Sequence, residues 1–134
     1  MGRLITIRDR ALQSKDAIDL LSNKWRITIL HILRESTLRT NEIQGAMPEV
    51  SPKVLTQTLR GMERDGLIHR EIFNVVPPRV EYELTPMGRS LIKPLANLCH
   101  WAKAHIAARD EARSRFDQAA KVQKSGAPKA APKR

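Results

Sequence analysis

The stretch that decides the fold is SPKVLTQTLRGMERDGLI, residues 51–68. It begins with Ser51 and Pro52, residue types favoured at the N-cap and at the first position of an α-helix. Apolar residues recur at the i, i+4 and i+7 spacing of one helical face: Leu55, Leu59 and Met62. The opposite face is polar, with Lys53, Gln57, Arg60 and Arg64. Asp65-Gly66 predicts the end of the helix, since glycine tolerates the left-handed conformation that commonly closes one.

The residues before this stretch predict three further helices. Apolar residues at 17–21 mark a first one, and a second over 24–34 is so uniformly apolar that it should lie at the centre of the core. A third, about two turns long, has Thr40 as its predicted N-cap and ends before Pro48. Its predicted buried side holds Ile43, Ala46 and Met47.

The pattern changes its period after Gly66. LIHREIFNVV is rich in Ile, Val and Phe, and RVEYELT alternates strictly, which predicts two strands joined around Pro77-Pro78. Thr85 and Pro86 then begin a long helix, in which Pro94 predicts a kink or a local disruption. Its predicted stripe holds Leu91, Leu95, Leu98, Trp101 or Ala102, and His105. The predicted fold is mainly α with a small β-hairpin wing: a winged helix-turn-helix with a three-helix core and a long C-terminal helix.

Composition limits the classes of protein to which the chain can belong. Its 134 residues, 41% of them apolar, predict one domain with a compact core. No apolar run reaches the roughly 18 residues of a membrane-spanning helix, and the first residues do not resemble an export signal. The net charge is +10, and residues 121–134 hold five basic residues and no acidic one. We predict that this tail is disordered, either as a solvated segment without a specific role or as a DNA-tethering arm.

The predicted arrangement indicates where DNA would be contacted. In a winged helix-turn-helix the second of two consecutive helices enters the major groove, where Gln pairs with adenine and Arg or Lys with guanine. The candidate residues of that helix are Ser51, Lys53, Thr56, Gln57 and Arg60. Arg64 is left out, because it lies near the C-terminal end of the helix, close to Glu63 and Asp65. The alternative interpretation is that the polar face is merely solvated.

Three more candidates lie outside that helix. Arg39 and Thr40 start the preceding helix and are candidate phosphate contacts. Arg79, beside the prolines of the wing, is a candidate for phosphate or the minor groove. It is equally placed to pair with Glu81 or Glu71 across the hairpin.

Several motifs within residues 16–106 resemble the HxlR-type family of bacterial winged helix-turn-helix regulators, which are relatives of the MarR group. They are LLSNKWRITILHIL, NEIQGAMPEVSPKVLTQTLRGMERDGLIHRE, VPPRVEYELTPMGRSL and LCHWAKAH. The resemblance implies a homodimeric, sequence-specific transcriptional regulator that binds double-stranded DNA. It implies a recognition helix over 51–64, a wing over 68–84, and dimer contacts from the N-terminal and long C-terminal helices. The implied division is an arm and the start of a dimerisation helix (1–15), the winged domain (16–108), and the helix end and basic tail (109–134).

The chain departs from the family at one position and lacks catalytic patterns. Many members carry a redox-sensing cysteine upstream of the tryptophan, where this chain has Leu12. Its one cysteine, Cys99, leaves no internal disulfide and lies in the predicted long helix, where we expect a small buried apolar residue rather than a redox sensor. The four histidines are dispersed, and there is no nucleophile motif and no glycine-rich phosphate loop. We therefore expect no enzyme, no cofactor and no metal.

Two functions follow from these patterns. The favoured one is a cytoplasmic, nucleoid-associated homodimer that reads two half-sites of an inverted repeat about 34–36 Å apart. The alternative is a winged-helix module that binds another protein, its basic residues serving only solubility. The family's dimer architecture also leaves room for an unidentified small-molecule effector.

Overall fold

The structure is a computed structural model, and it describes residues 7–21 and 23–126. The described residues form α1 (Ile7–Leu20), α2 (Lys24–Ile32), β1 (Leu38–Arg39), α3 (Thr40–Ala46), α4 (Pro52–Arg64), β2 (Ile68–Phe73), β3 (Arg79–Leu84) and α5 (Pro86–Gly126). They fall into two compact units, one ending at Leu95 and the other beginning at Ala96. The predicted class, mainly helical with a small wing, is confirmed.

Helix α2 lies at the centre of the core, as its apolar composition predicts. Ile29 and Leu30 are fully buried, and Leu33 directly after the helix is buried as well. Asn23 caps the helix, because its side-chain oxygen accepts a hydrogen bond of 3.1 Å from the backbone N–H of Arg26. The cap satisfies one of the amides that a helix start leaves without a partner.

Helix α3 differs in detail from its prediction. Its N-cap is Arg39 and not Thr40, because the Glu42 carboxylate accepts a 3.0 Å hydrogen bond from the backbone N–H of residue 39. Ala46 is exposed rather than buried. Met47 and Val50, beyond the end of the helix, are buried with Ile43. The chain therefore turns into the core after α3, which leaves the last residue of the helix outside.

The side chain of Gln44 bonds to the turn between α3 and α4, beside a 3.1 Å backbone hydrogen bond from the N–H of Val50 to the carbonyl oxygen of Met47. The amide of Gln44 donates to the carbonyl oxygens of Met47 and Val50, at 3.3 and 2.7 Å. These bonds satisfy two carbonyl groups of the turn and fix the entry of the chain into α4.

Helix α4 follows its prediction closely. The Ser51 hydroxyl accepts a 3.2 Å hydrogen bond from the backbone N–H of Val54, and Pro52 is the first helical residue. Gly66 adopts φ +75, the left-handed conformation that ends the helix. The predicted anchoring residues are at most 1% exposed: Leu55, Leu59 and Met62.

The wing is part of a three-stranded antiparallel sheet with the order β1-β3-β2. Its β2–β3 hairpin was predicted, and its register runs from Ile68 opposite Leu84 to Phe73 opposite Arg79. Strand β1 was not predicted, because its two residues are too short to show a period. It pairs with β3 through Leu38 opposite Tyr82 and Arg39 opposite Glu81.

The start of α5 packs against the loop between α4 and β2. The Thr85 hydroxyl caps the helix by accepting a 3.0 Å hydrogen bond from the backbone N–H of Gly88. At Gly88 a Cβ atom would lie 2.1 Å from the carbonyl oxygen of Leu67, so the contact requires glycine. About two turns further along the helix, Leu95 is 1% exposed and belongs to the core.

The long helix differs from two predictions. It is continuous through Pro94, where a kink or a local disruption was predicted, and it extends to Gly126, so residues 121–126 of the predicted disordered tail are helical. Cys99 is exposed and not buried, because the described residues of this unit form a single helix with no second element to cover it. Residues 1–6 of the predicted arm and 127–134 of the tail lie outside the described residues. Within the described part of the chain, no helix has the length and apolarity needed to cross a bilayer.

Candidate nucleic-acid interface

The outward face of α4 is polar and exposed. Four of its five predicted DNA-contacting residues lie within the helix, and all four are exposed: Lys53, Thr56, Gln57 and Arg60. Within the described residues, none of these four makes a side-chain hydrogen bond or an ion pair. Ser51 is exposed at the tip of the helix, where its hydroxyl forms the N-cap. The polar groups of this face are therefore available to a partner outside the chain.

The inner face of α4 is fixed by a polar contact as well as by its leucines. Thr58 is 4% exposed, and its hydroxyl donates to the carbonyl oxygen of Val54 at 2.8 Å. The same hydroxyl accepts a 3.4 Å hydrogen bond from the side chain of Asn23. Asn23 thus caps α2 and contacts α4 at once. A threonine within a helical pattern carries no local sign of such a partner, so the sequence analysis missed it.

Arg26 of α2 connects the C-terminal end of α4 to the end of α1. The Arg26 side chain, 11% exposed, donates from Nη1 to the Asp65 carboxylate at 2.6 Å and to the carbonyl oxygen of Leu20 at 3.0 Å. It crosses α4 at Gly61, where a Cβ atom would lie 2.7 Å from Nη2. This contact connects the ends of α1 and α4, so it fixes how α4 sits on the core.

The two carboxylates beside Arg64 do not pair with it. The two neighbouring carboxylates pair elsewhere, Asp65 with Arg26 at 2.6 Å and Glu63 with Arg70 at 3.3 Å. Arg64 is exposed and has no ion pair within the described residues. It remains apart from the predicted contact residues by position, since it is the last residue of α4.

The other three predicted residues meet in one cleft. Arg39, Thr40 and Arg79 line a cavity of about 500 Å³ between the start of α3 and the tip of the wing. The remaining lining is uncharged: Asn41, Val75, Val76, Pro77, Pro78 and Val80. Forty residues of sequence separate Arg39 from Arg79, and the β1–β3 pairing brings them together.

Arg79 also makes contacts inside the wing. Its Nε lies 3.1 Å from Oε1 of Glu81, and its guanidinium lies over the ring of Phe73 at 4.5 Å from the centroid. Of the two intramolecular partners considered for Arg79, the structure has Glu81 and not Glu71. The Glu81 pairing does not remove Arg79 from the cleft, since 36% of its side chain is exposed.

The histidines and the cysteine do not form a site. His105 stacks on Trp101 with ring centroids 4.5 Å apart, and its Nδ1 lies 2.7 Å from the carbonyl oxygen of Trp101. In residues 7–21 and 23–126, no group of three or more His, Cys, Asp or Glu side chains is placed to hold a metal ion.

Helices α3 and α4 bury their apolar residues in the core, the outward face of α4 is polar and exposed, and a β-hairpin follows directly. This arrangement defines a winged helix-turn-helix protein. The chain belongs to the HxlR-like helix-turn-helix family, whose profile matches residues 20–110. It is similar to the HTH-type transcriptional regulator YtcD of Bacillus subtilis, with 45% identity over 89 residues that cover 66% of this chain and 71% of YtcD. It is also similar to the regulator YtfH of Escherichia coli K12, with 36% identity over 102 residues, 73% of this chain and 81% of YtfH.

Solved structures agree with this assignment. The crystal structure of YtcD superimposes with a TM-score of 0.66 at 42% identity, over 69% of this chain and 95% of that one. A MarR-family regulator from Enterococcus faecalis V583 gives a TM-score of 0.66 at 38% identity, over 84% of this chain and 99% of that one. The chain is therefore a transcriptional regulator of the winged helix-turn-helix type, and the relatives named here are regulators and not enzymes.

Proposed function

We propose that this protein represses or activates transcription as a homodimer that binds an inverted-repeat operator, with α4 in the major groove. The observation that carries the proposal is the contrast between the two faces of α4. Its inner face is buried and hydrogen-bonded, whereas Lys53, Thr56, Gln57 and Arg60 point outward without a partner among the described residues. Because the inner face of α4 is fixed to the core, the orientation of the polar side chains on its outer face is fixed as well.

The residue types on that face suit base recognition. A glutamine pairs bidentately with adenine, an arginine or lysine pairs with guanine, and each good pair contributes about 1–3 kcal/mol of discrimination. Thr56 offers a hydroxyl and a methyl group, and the methyl group suits contact with thymine. The free amides and the dipole at the start of α4 also favour a phosphate near Ser51. In this proposal Gln57 and Arg60 read bases, and Ser51 and Lys53 contact bases or backbone.

The cleft between α3 and the wing supplies contacts of a second kind. Arg39, Thr40 and Arg79 lie at its edges, and we assign them to the DNA backbone or the minor groove. Such contacts position the protein without reading sequence, and they make the affinity fall with salt.

The dimer is proposed from the exposed apolar residues of α1 and α5. Ile18 on α1 is 66% exposed, and on α5 Leu98 and Trp101 are 54% and 61% exposed. Large apolar side chains at this exposure favour contact with a second protein surface. Two copies joined through these helices would present two α4 helices to half-sites about 34–36 Å apart, one turn of DNA. Residues 16–108 would then be the winged domain, flanked by the segments 1–15 and 109–134.

The proposal is tested on an operator found by genomic footprinting of the bound protein. Gln57→Ala and Arg60→Ala should each weaken operator binding about 5- to 150-fold, the equivalent of about 1–3 kcal/mol, with little change on unrelated DNA. Arg64→Ala is the matched control, since Arg64 is an exposed residue at the far end of the same helix. Circular dichroism and sedimentation should show the same fold and dimer in all three variants.

The alternative, a module that binds protein rather than DNA, gives a different outcome. In that case footprinting yields no discrete operator, or both α4 variants keep the parental affinity for the site that it yields. Either result contradicts the assignment of α4 as the recognition helix.

A further inference from the structure

One face of the wing carries two arginines around a single carboxylate. The strand register places Arg39 opposite Glu81 across β1–β3, and Phe73 opposite Arg79 across β2–β3. Because side chains alternate along a strand, residues 79 and 81 share one face of β3, and the buried residues 82 and 84 share the other. The charged group therefore lies on the side of the sheet that faces away from the core.

Glu81 contacts both arginines through the same oxygen atom. Its Oε1 lies 3.1 Å from Nε of Arg79 and 3.9 Å from Nε of Arg39. No described residue accepts a hydrogen bond from the terminal nitrogen atoms of either guanidinium. Glu81 is the least exposed of the three residues: 24% of its side chain is exposed, against 49% for Arg39 and 36% for Arg79. Neither contact is a hydrogen bond, and Nε of Arg79 is buried without a hydrogen-bond partner among the described residues. The carboxylate therefore acts on both guanidinium groups through its charge and leaves their outer nitrogen atoms free.

A second restraint acts on Arg79 alone. Its guanidinium lies over the ring of Phe73, with 4.5 Å between Cζ and the ring centroid. A cation over an aromatic face is attracted electrostatically by the ring. With Nε beside Glu81 and one side against Phe73, the guanidinium of Arg79 has little freedom to turn.

The cleft beside these arginines is suited to an anion. Its lining includes Arg39 and Arg79 and contains no acidic residue, because Glu81 lies outside the lining. Its volume, about 500 Å³, is ample for a phosphate group. Guanidinium groups bind phosphate through pairs of N–H donors, which are the groups that Glu81 leaves free.

We propose that Glu81 is a positioning residue that holds Arg39 and Arg79 as a two-arginine clamp for one backbone phosphate of the operator. The inference deepens the proposed function and rests on it. An exposed ion pair contributes little to the stability of a fold. Restraining a long side chain before binding does contribute to affinity, because less conformational freedom is lost in the complex. The role of the carboxylate is therefore expressed in DNA binding.

The charge of Glu81 and its positioning role act in opposite directions. A carboxylate near DNA repels phosphate, so its removal as a charge alone would strengthen binding. Removal of a positioning group weakens binding. Glu83, on the same strand two residues further on, measures the first effect by itself, because it is exposed and has no ion pair within the described residues.

The experiment compares Glu81→Gln with Glu83→Gln in salt titrations of operator binding by the full-length protein. Glu83→Gln should bind as tightly as the parent protein or slightly more tightly. Glu81→Gln should bind about 5- to 150-fold more weakly than Glu83→Gln, as expected for two side chains that must be ordered on binding. A Glu81→Gln variant that matches or exceeds Glu83→Gln overturns the proposal.

A double-mutant cycle assigns the effect to the arginines. In an Arg39→Ala, Arg79→Ala background, Glu81→Gln should no longer weaken binding, and the salt slope should fall by about 0.9 for each phosphate that the protein no longer neutralises. An equal weakening with and without the arginines would place the effect of Glu81 elsewhere and refute the clamp. If Glu81→Gln weakens binding equally with and without the arginines while Gln57→Ala and Arg60→Ala still weaken it, only the clamp is overturned. Parental binding in those two α4 variants overturns the proposed function itself.

Discussion

Replacing Gly88 by alanine should destabilise the fold, although the same change usually stabilises a helix. The new Cβ atom would lie 2.1 Å from the carbonyl oxygen of Leu67. Carbon–oxygen contacts in proteins lie at about 3.3–3.6 Å, so the two atoms must move apart by about 1.2 Å. The carbonyl has little freedom to move, because it accepts a 3.1 Å hydrogen bond from the backbone N–H of Thr85. Thr85 is itself fixed by a 2.6 Å hydrogen bond to the carbonyl oxygen of Gly66.

The sizes of three free-energy contributions decide whether Gly88→Ala destabilises or stabilises the fold. Forcing an extra methyl group into a closed contact costs about 1–3 kcal/mol. Loss of the hydrogen bond to Leu67 adds about 0.5–1.5 kcal/mol. The gain in helix propensity from glycine to alanine is only about 0.8–1 kcal/mol. We expect Gly88→Ala to lower the free energy of unfolding by about 0.5–3.5 kcal/mol.

Gly45→Ala is the matched control. Gly45 is also helical, and its Cβ atom would meet nothing within 4 Å, so this variant should be more stable than the parent by about 0.5–1 kcal/mol. Both are measured by urea titration at one fixed protein concentration, because the proposed dimerisation would make the midpoint depend on concentration. A Gly88→Ala variant at least as stable as the parent protein would refute the close contact between α5 and the α4–β2 loop.

Two further predictions concern the contact of α4 with Arg26 and the proposed dimer. Gly61→Ala should push the Arg26 guanidinium away from Asp65 and lower the free energy of unfolding by about 1–2 kcal/mol. In an Arg26→Ala background, the same change should be neutral or stabilising, because only the gain in helix propensity remains. Equal destabilisation in both backgrounds, measured by urea titration, would contradict this. Trp101→Glu should shift the protein to a monomer in sedimentation, while Lys103→Glu on the same helix should not. A Trp101→Glu variant that remains dimeric would argue against α5 as a dimer helix.

The sequence predicted α4 well because its signals are local. Ser51 and Pro52 mark its start, and Leu55, Leu59 and Met62 mark its buried side within one short stretch of chain. The contacts that orient α4 are not local. Arg26 and Asp65 are 39 residues apart, and no local sequence pattern at either position indicates that they pair. The two-residue strand β1 is likewise defined only by its partner β3.

Helical spacing also does not say whether a face is covered. Leu95 and Leu98 belong to one predicted stripe, yet the first is 1% and the second 54% exposed. Cys99 was wrongly expected to be buried for the same reason. Composition misled at 121–126, because a segment that buries no surface can still be helical when its Lys and Gln residues favour the helix.

The candidate site was predicted as two separate sets, and only the fold relates them. The polar face of α4 followed from one stretch of sequence. The meeting of Arg39, Thr40 and Arg79 in one cleft depends on the pairing of β1 with β3. Glu81 entered the sequence analysis only as one of two alternative partners for Arg79. Its contact with Arg39 required that third strand.

The sheet ends its pairing at Phe73 and Arg79, and residues 74–78 lie outside the ladder. Strand β3 is bonded on both sides, so its register is set by β1 as well as by β2. The loop can therefore gain or lose residues without shifting either neighbour, as connecting loops on rigid scaffolds commonly do. For proteins built on this plan, the length of the loop and the outward residues of α4 can evolve independently, and an engineer can exchange one while preserving the other.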